Sequence, residues 1–105
     1  MEEIKSKDIT AEEFQQKTSA SDSVQIIDVR EVLEFRTFNL GGDNIPLGIL
    51  MTTAADLEYD KEKEIIVICQ RGLRSKTAKL ELQKHGYKNV RNLTGGILAL
   101  RKINN

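Results

Sequence analysis

The apolar run EIIVIC at residues 64–69 constrains the fold of this chain more than any other feature. A short run without polar alternation, rich in β-branched residues, is typical of a strand that is covered on both faces. Such strands occur in parallel sheets that lie between two layers of helices. The run ends at Cys69, which is the only cysteine among the 105 residues.

Strands and helices alternate along the rest of the chain. Further strands are predicted at 24–29 and 88–93, and a short extended piece is predicted within the loop 38–47. Helices are predicted at 9–17, 31–35, 48–57, 74–85 and 95–103. This alternation predicts an α/β fold with a mostly parallel central sheet flanked by helices on both faces.

Residue types at two helix ends support these boundaries. Thr10 is a predicted N-cap, and Glu13 three residues later completes the pattern of a capping box. Gly86 follows the fourth helix and suits the position after its C-cap.

Composition limits the classes of function. The length predicts one domain over residues 1–105, and 16 basic residues balance 16 acidic ones. A zero net charge disfavours a general nucleic-acid or membrane-surface binder. No apolar run approaches ~20 residues, and a single cysteine without a Cys/His cluster predicts neither an intramolecular disulfide nor a metal site. We therefore expect a reducing, cytoplasmic setting.

Two chemically interesting side chains follow predicted strands. Asp28 and Cys69 stand at the ends of strands that are far apart in sequence. Right-handed crossovers bring the carboxyl ends of parallel strands to one edge of the sheet, where ligands bind in open α/β folds. The fold is therefore expected to bring both residues to a functional rim.

The segment after Cys69 predicts an anion-binding loop. Gly72 tolerates the left-handed backbone that a tight cradle of N–H groups needs, and the loop leads into a helix N-terminus. Arg71 and Arg74 add full positive charges. These features favour a thiolate, so they lower the pKa of Cys69 and form a pocket for a small dianion.

Simpler interpretations of these residues remain. A lone cysteine at the end of an apolar strand is usually an inert core residue, and each arginine alone fits an ordinary surface position. Cys-His protease chemistry is disfavoured, because His85 is predicted about 16 Å from Arg74 along the helix at about 1.5 Å per residue. His85 instead fits a partner of the helix C-terminal dipole.

Four segments, in order, resemble the single-domain rhodanese family over nearly the whole chain. IIDVREVLEF (26–35) is similar to the family's Asp-Val-Arg-Glu signature, and NIPL (44–47) to its Ile-Pro-Leu. VICQRGLRS (67–75) is similar to the active-site loop Cys-x-x-Gly-x-Arg-Ser, and LTGGILAL (93–100) to the closing Gly-Gly-Ile-x-Ala-Trp.

The resemblance implies a rhodanese-like fold and transfer of a sulfane sulfur through a Cys69 persulfide. The implied donor is a small anion such as thiosulfate, and the acceptor is cyanide, a thiol or a sulfur-carrier protein. No cofactor, metal, nucleic acid or membrane is implied. The implied substrate-binding loop comprises Gln70, Arg71, Gly72, Leu73, Arg74 and Ser75. Asp28 and Arg30 are given a supporting or purely structural role.

The chain departs from the family pattern at three positions. Asn39 stands where the family has His, Gly41 where it has Pro, and Leu100 where it has the closing Trp. We expect these departures to alter the rim and the substrate preference rather than the chemistry.

Other functions stay open at this stage. One is a cysteine-based phosphatase or arsenate reductase, although the phosphatase loop has five residues between Cys and Arg and here Arg74 comes one residue early. Another is a non-catalytic rhodanese-like interaction module. A third is a detached domain of an enzyme that activates ubiquitin-like sulfur carriers.

Overall fold

The computed structural model describes residues 7–20 and 23–104. Its strands are β1 Gln25–Asp28, β2 Asp43–Asn44, β3 Ile65–Ile68 and β4 Val90–Asn92. Its helices are α1 Ala11–Ser19, α2 Val32–Thr37, α3 Leu47–Thr53, α4 Leu73–Lys84 and α5 Gly96–Ile103. One 3₁₀ turn, Ala54–Asp56, follows α3. Each helix and strand predicted from sequence is found within a few residues of its expected place.

The strands form one sheet in the order β2-β1-β3-β4, and all of its neighbours pair in parallel. In this register Asp28 lies opposite Ile68, and Val67 lies opposite Asn92. The carboxyl ends of β1, β3 and β4 therefore meet at one edge of the sheet. This confirms the α/β fold, and Asp28 and Cys69 share that edge as predicted.

The sheet separates two hydrophobic cores. Alternate residues of β3 serve the two sides, with Ile65 and Val67 facing one core and Ile66 and Ile68 the other. The first core includes buried residues of α3 and α4, and the second includes those of α1 and α5. All four β3 residues are buried, which explains the apolar run without alternation.

Helix α1 begins as predicted, with one difference at its cap. The Thr10 hydroxyl accepts a hydrogen bond from the Glu13 N–H at 3.0 Å, so the N-cap is confirmed. The Glu13 carboxylate forms an ion pair with Arg91 at 2.9 Å. Glu13 thus links α1 to β4, whereas a reciprocal bond of the capping-box type occurs on α2, where Glu34 accepts from the Glu31 N–H at 2.9 Å.

Helix α5 begins against the segment that follows β3. The N–H groups of Ile97 and Leu98 donate to the carbonyls of Cys69 and Gln70 at 3.0 and 3.1 Å. Gly96 allows this approach, because a Cβ there would lie 2.5 Å from both carbonyl oxygens. The Gly-Gly pair therefore fixes the segment after Cys69 to the N-terminus of α5.

We predict that Gly96→Ala destabilises the protein far more than Gly41→Ala. Both glycines have positive φ, +66° and +88°, but no heavy atom lies within 4 Å of a Cβ built on Gly41. The backbone penalty of about 1–2 kcal/mol applies to both substitutions. Only Gly96→Ala adds a clash with backbone, which we expect to cost about 2 kcal/mol more. Urea unfolding measures both variants, and equal losses would contradict the role given to Gly96.

Candidate active site

The Cys69 sulfur lies at the centre of the loop 69–75 and is almost fully buried. The N–H groups of Gly72 and Ser75 donate to Sγ at 3.1 and 3.3 Å, and Ser75 Oγ lies 3.2 Å from it. Gly72 has φ +89°, the left-handed conformation predicted for this position, and is the N-cap of α4. The loop is thus a cradle in which several donors face one sulfur atom.

Hydrogen bonds and burial act on the Cys69 thiol in opposite directions. Burial alone raises the pKa, because it disfavours the charged thiolate. The Ser75 hydroxyl and the N–H groups of Ser75, Gly72 and Arg71 lower it, and their combined effect is larger. The pKa of Cys69 is therefore below its ordinary value, which is the property of a nucleophilic cysteine.

Asn92, at the end of β4, is hydrogen-bonded to two residues of the loop. Its Nδ2 donates to the Gly72 carbonyl at 3.1 Å, and the Ser75 hydroxyl donates to its Oδ1. Asn92 and Ser75 are both buried. Asn92 was not predicted as a site residue, although it ends a parallel strand at the same edge as Asp28 and Cys69.

Arg74 is bound to Glu34 of α2. The two side chains form a bidentate ion pair, with Nη1–Oε1 at 2.7 Å and Nη2–Oε2 at 3.0 Å. The hydrogen bonds from Arg74 lower the pKa of Glu34 to about 2, so Glu34 stays ionised at any ordinary pH. Arg74 was predicted to bind the substrate, and its pairing with a carboxylate 40 residues earlier was not predicted from the sequence.

Arg71 is the exposed cation of the loop. Within residues 7–20 and 23–104, no carboxylate lies at ion-pair distance from its guanidinium. Gln70 faces a cleft of about 460 Å³ beside the loop, and the exposed Leu73 begins α4. The cleft is also lined by Leu33, Phe38 and Arg101, and the Arg101 guanidinium lies 5.3 Å from the Phe38 ring centroid.

Asp28 and Arg30 form a buried pair that supports α2. Arg30 Nη2 lies 2.8 Å from Asp28 Oδ2, and Arg30 Nε also donates to the same carboxylate. The remaining donors of Arg30 bind the Glu34 and Phe38 carbonyls at 3.3 and 2.6 Å. Arg30 therefore holds the helix that carries Glu34 through two of its carbonyls.

The departures from the family pattern have structural explanations. Asn39 bridges the Phe35 carbonyl and the Gly41 N–H, both at 2.9 Å, and so closes a turn after α2. Gly41 has φ +88°, which proline cannot adopt. This loop consequently takes a course that the family's proline would prevent. Leu100 is buried in the core on the α1 and α5 side.

Three further observations concern metal sites, His85 and membrane spans. Within the described ranges, no group of three His, Cys, Asp or Glu side chains has the arrangement of a metal site. His85 Nε2 lies 3.2 Å from Glu81 Oε2, at the far end of α4 from Cys69. None of the helices in the described part of the chain has the length and apolarity to cross a membrane.

Comparisons with known proteins agree with this geometry. The putative sulfur carrier protein YrkF of Bacillus subtilis is 36% identical over 91 residues, covering 86% of this chain and 48% of YrkF. A sulfurtransferase of Allochromatium vinosum is 28% identical and is matched over 85% of its length, with 88% of this chain covered. The chain thus spans about half of the Bacillus relative.

A crystal structure of a rhodanese-like domain protein from Staphylococcus aureus has the same fold. It superposes with a TM-score of 0.78 at 27% identity, and 90% of each chain is covered. The family described as rhodanese-like domain matches residues 10–102 of this chain. Relatives named as sulfurtransferases support a rhodanese-like enzyme at the level of the family. The chain belongs to the rhodanese-like domain family.

Proposed function

We propose that this domain transfers a sulfane sulfur from a small anionic donor, such as thiosulfate, to a thiol or a sulfur-carrier protein. One observation carries the proposal: donors of the loop 69–75 converge on the buried sulfur of Cys69, with N–H groups at 3.1 and 3.3 Å. A thiolate in this position is both stabilised and held for attack.

The chemistry has two displacement steps at sulfur. The Cys69 thiolate attacks the outer sulfur of thiosulfate, a new S–S bond forms, and sulfite leaves with the electron pair of the broken S–S bond. The acceptor nucleophile then attacks the outer sulfur of the Cys69 persulfide, and the Cys69 thiolate leaves. No net oxidation is needed, because the sulfane sulfur keeps its oxidation level throughout.

Arg71 is the residue that we assign to the donor's sulfonate oxygens. It is an exposed residue of the loop itself, and a guanidinium can bind two oxygens of an anion at once. Arg74 gives one N–H of each Nη atom to Glu34, and the carboxylate offsets the positive charge that would attract an anionic donor. Glu34 therefore competes with an anionic donor for Arg74.

The geometry favours sulfur over phosphate as the group that is transferred. Gly72 and Ser75 point their N–H groups at Sγ itself, whereas a phosphoryl group needs donors arranged around three further oxygens. The names of the relatives support a sulfur-transfer role, and a sulfur-carrier protein is accordingly our proposed acceptor. A nucleophilic thiol also suits a reducing compartment such as the cytoplasm.

We predict that Cys69→Ser loses sulfur transfer and keeps the fold. A serine hydroxyl has nearly the same volume, but it does not ionise near neutral pH, so we expect activity to fall by at least about 10³-fold. Thiosulfate-to-cyanide turnover measures the activity. Intact mass after incubation with thiosulfate shows one added sulfur atom on the unmodified chain and none on Cys69→Ser.

Far-UV circular dichroism and the urea midpoint serve as controls for the fold of this variant. Turnover close to that of the unmodified chain in a folded Cys69→Ser protein would exclude the persulfide mechanism. Faster hydrolysis of p-nitrophenyl phosphate than thiosulfate turnover, by the unmodified chain, would favour the phosphatase alternative instead.

We also predict that Glu34→Gln raises kcat/KM for thiosulfate by about three- to tenfold, because it releases a charge-assisted partner of Arg74. The pKa of Glu34, about 2, keeps this carboxylate ionised, so the gain is constant between about pH 5 and pH 9. Initial rates at several thiosulfate concentrations measure the effect.

Glu31→Gln is the matched control, since it removes the same charge from the N-cap position of the same helix. It leaves the two bonds between Arg74 and Glu34 in place, and we expect less than a twofold change. An equal gain in both variants would indicate long-range electrostatics and would refute competition for Arg74.

A further inference from the structure

A ring of hydrogen bonds connects Cys69 to Asn92, through Gly72 on one side and Ser75 on the other. On one side Gly72 donates its N–H to Sγ and accepts from Asn92 Nδ2, each at 3.1 Å. On the other side Ser75 Oγ lies 3.2 Å from Sγ and donates to Asn92 Oδ1. All four residues of the ring are buried, so water does not replace these contacts.

The partners in the ring determine which group is the donor in each hydrogen bond. The Gly72 carbonyl only accepts, so the amide nitrogen of Asn92 must face it and Oδ1 must face Ser75. Oδ1 also only accepts, and a hydroxyl has a single hydrogen. While Ser75 donates that hydrogen to Asn92 Oδ1, the hydrogen bond between Sγ and Ser75 Oγ is donated by the Cys69 thiol.

We propose that Asn92 is a positioning residue that holds the Ser75 hydroxyl hydrogen away from Cys69 until the thiolate forms. The proposal rests on the proposed function in that the Cys69 thiolate is the nucleophile. On ionisation the thiol proton passes to water, and Ser75 keeps its own hydrogen but turns it from Oδ1 to Sγ. Asn92 Oδ1 is then buried without its donor, so Asn92 opposes ionisation while the loop N–H groups favour it.

Charged groups also lie on the elements around the loop. They are Arg71 in the loop, Arg74 on α4, Glu34 on α2, Arg101 on α5, Asp28 at the end of β1, Arg30 after β1, and Asp8, which accepts from the Asn92 N–H at 3.2 Å. All of them are present in every protein of the experiment below. Their effects therefore cancel when the variants are compared with one another.

The test is a double-mutant cycle on the ionisation of Cys69. The unmodified chain, Asn92→Ala, Ser75→Ala and the double variant are alkylated with iodoacetamide, a neutral probe, over pH 5–10. The pH dependence of the rate gives the pKa of Cys69 in each protein. Alkylation needs no sulfur donor, so this result can be read whether or not the chain transfers sulfur, and turnover assays test the proposed function separately.

We expect Asn92→Ala to lower the pKa of Cys69 by about one unit, because Ser75 then donates to the thiolate without losing another acceptor. We expect Ser75→Ala to raise it, and Asn92→Ala to have no effect in the Ser75→Ala background. A role for Asn92 only as a support for Gly72 predicts the same shift in both backgrounds.

Equal shifts in both backgrounds, or an unchanged or higher pKa in Asn92→Ala, would overturn the proposal. Asn92→Leu is the second variant, since it keeps the approximate volume of asparagine and removes both polar atoms. If Asn92→Ala does not fold, Asn92→Leu takes its place in the cycle, and the same outcomes decide.

Discussion

The attachment of the loop to helix α5 is the constraint on which this site depends. Cys69 and Gln70 give their carbonyls to the Ile97 and Leu98 N–H groups. The Gln70 carbonyl and the Arg71 N–H belong to one planar peptide and point in opposite directions, so the carbonyl that faces α5 turns the Arg71 N–H toward Sγ. The N-terminus of α5 thus satisfies two of its own donors and fixes the first peptides of the cradle with the same two bonds. Gly96 is needed because any side chain there would push the two segments apart.

A second set of contacts determines the charge that surrounds the cradle. The buried pair of Asp28 and Arg30 holds the carbonyls of α2, and α2 presents Glu34 to Arg74. The Glu34 carboxylate offsets part of the positive charge of the Arg74 guanidinium near the sulfur. Arg71 is left as the exposed cation at the loop. The stabilisation of the Cys69 thiolate accordingly comes mainly from short-range hydrogen bonds, which salt does not screen as it screens exposed charges.

How much of this site can be predicted from the sequence depends on whether each interaction is local or joins distant segments. The apolar run to Ile68, the left-handed Gly72 and the parallel strand ends are local or topological features, and they gave the fold and the position of Cys69. The pairing of Arg74 with Glu34 depends on how α2 is turned, which Arg30 sets through backbone carbonyls that carry no sequence signal. The course of the loop at Gly41 depends on a positive φ that glycine permits but does not require. Asn92 was predictable from its strand end, but its contacts to Gly72 and Ser75 were not.

In the proposed mechanism the cradle serves two charge distributions in turn. In the thiolate the negative charge is on Sγ, which is buried and needs every donor that the loop can provide. In a Cys69 persulfide the charge moves to the outer sulfur, and Sγ becomes a neutral atom between carbon and sulfur. The Ser75 hydroxyl is then free to return to Asn92 Oδ1, which regains the partner it lost on ionisation. The Asn92 acceptor therefore destabilises the Cys69 thiolate relative to the Cys69 persulfide. The hydrogen-bond ring that positions Cys69 thus also favours uptake of the sulfur.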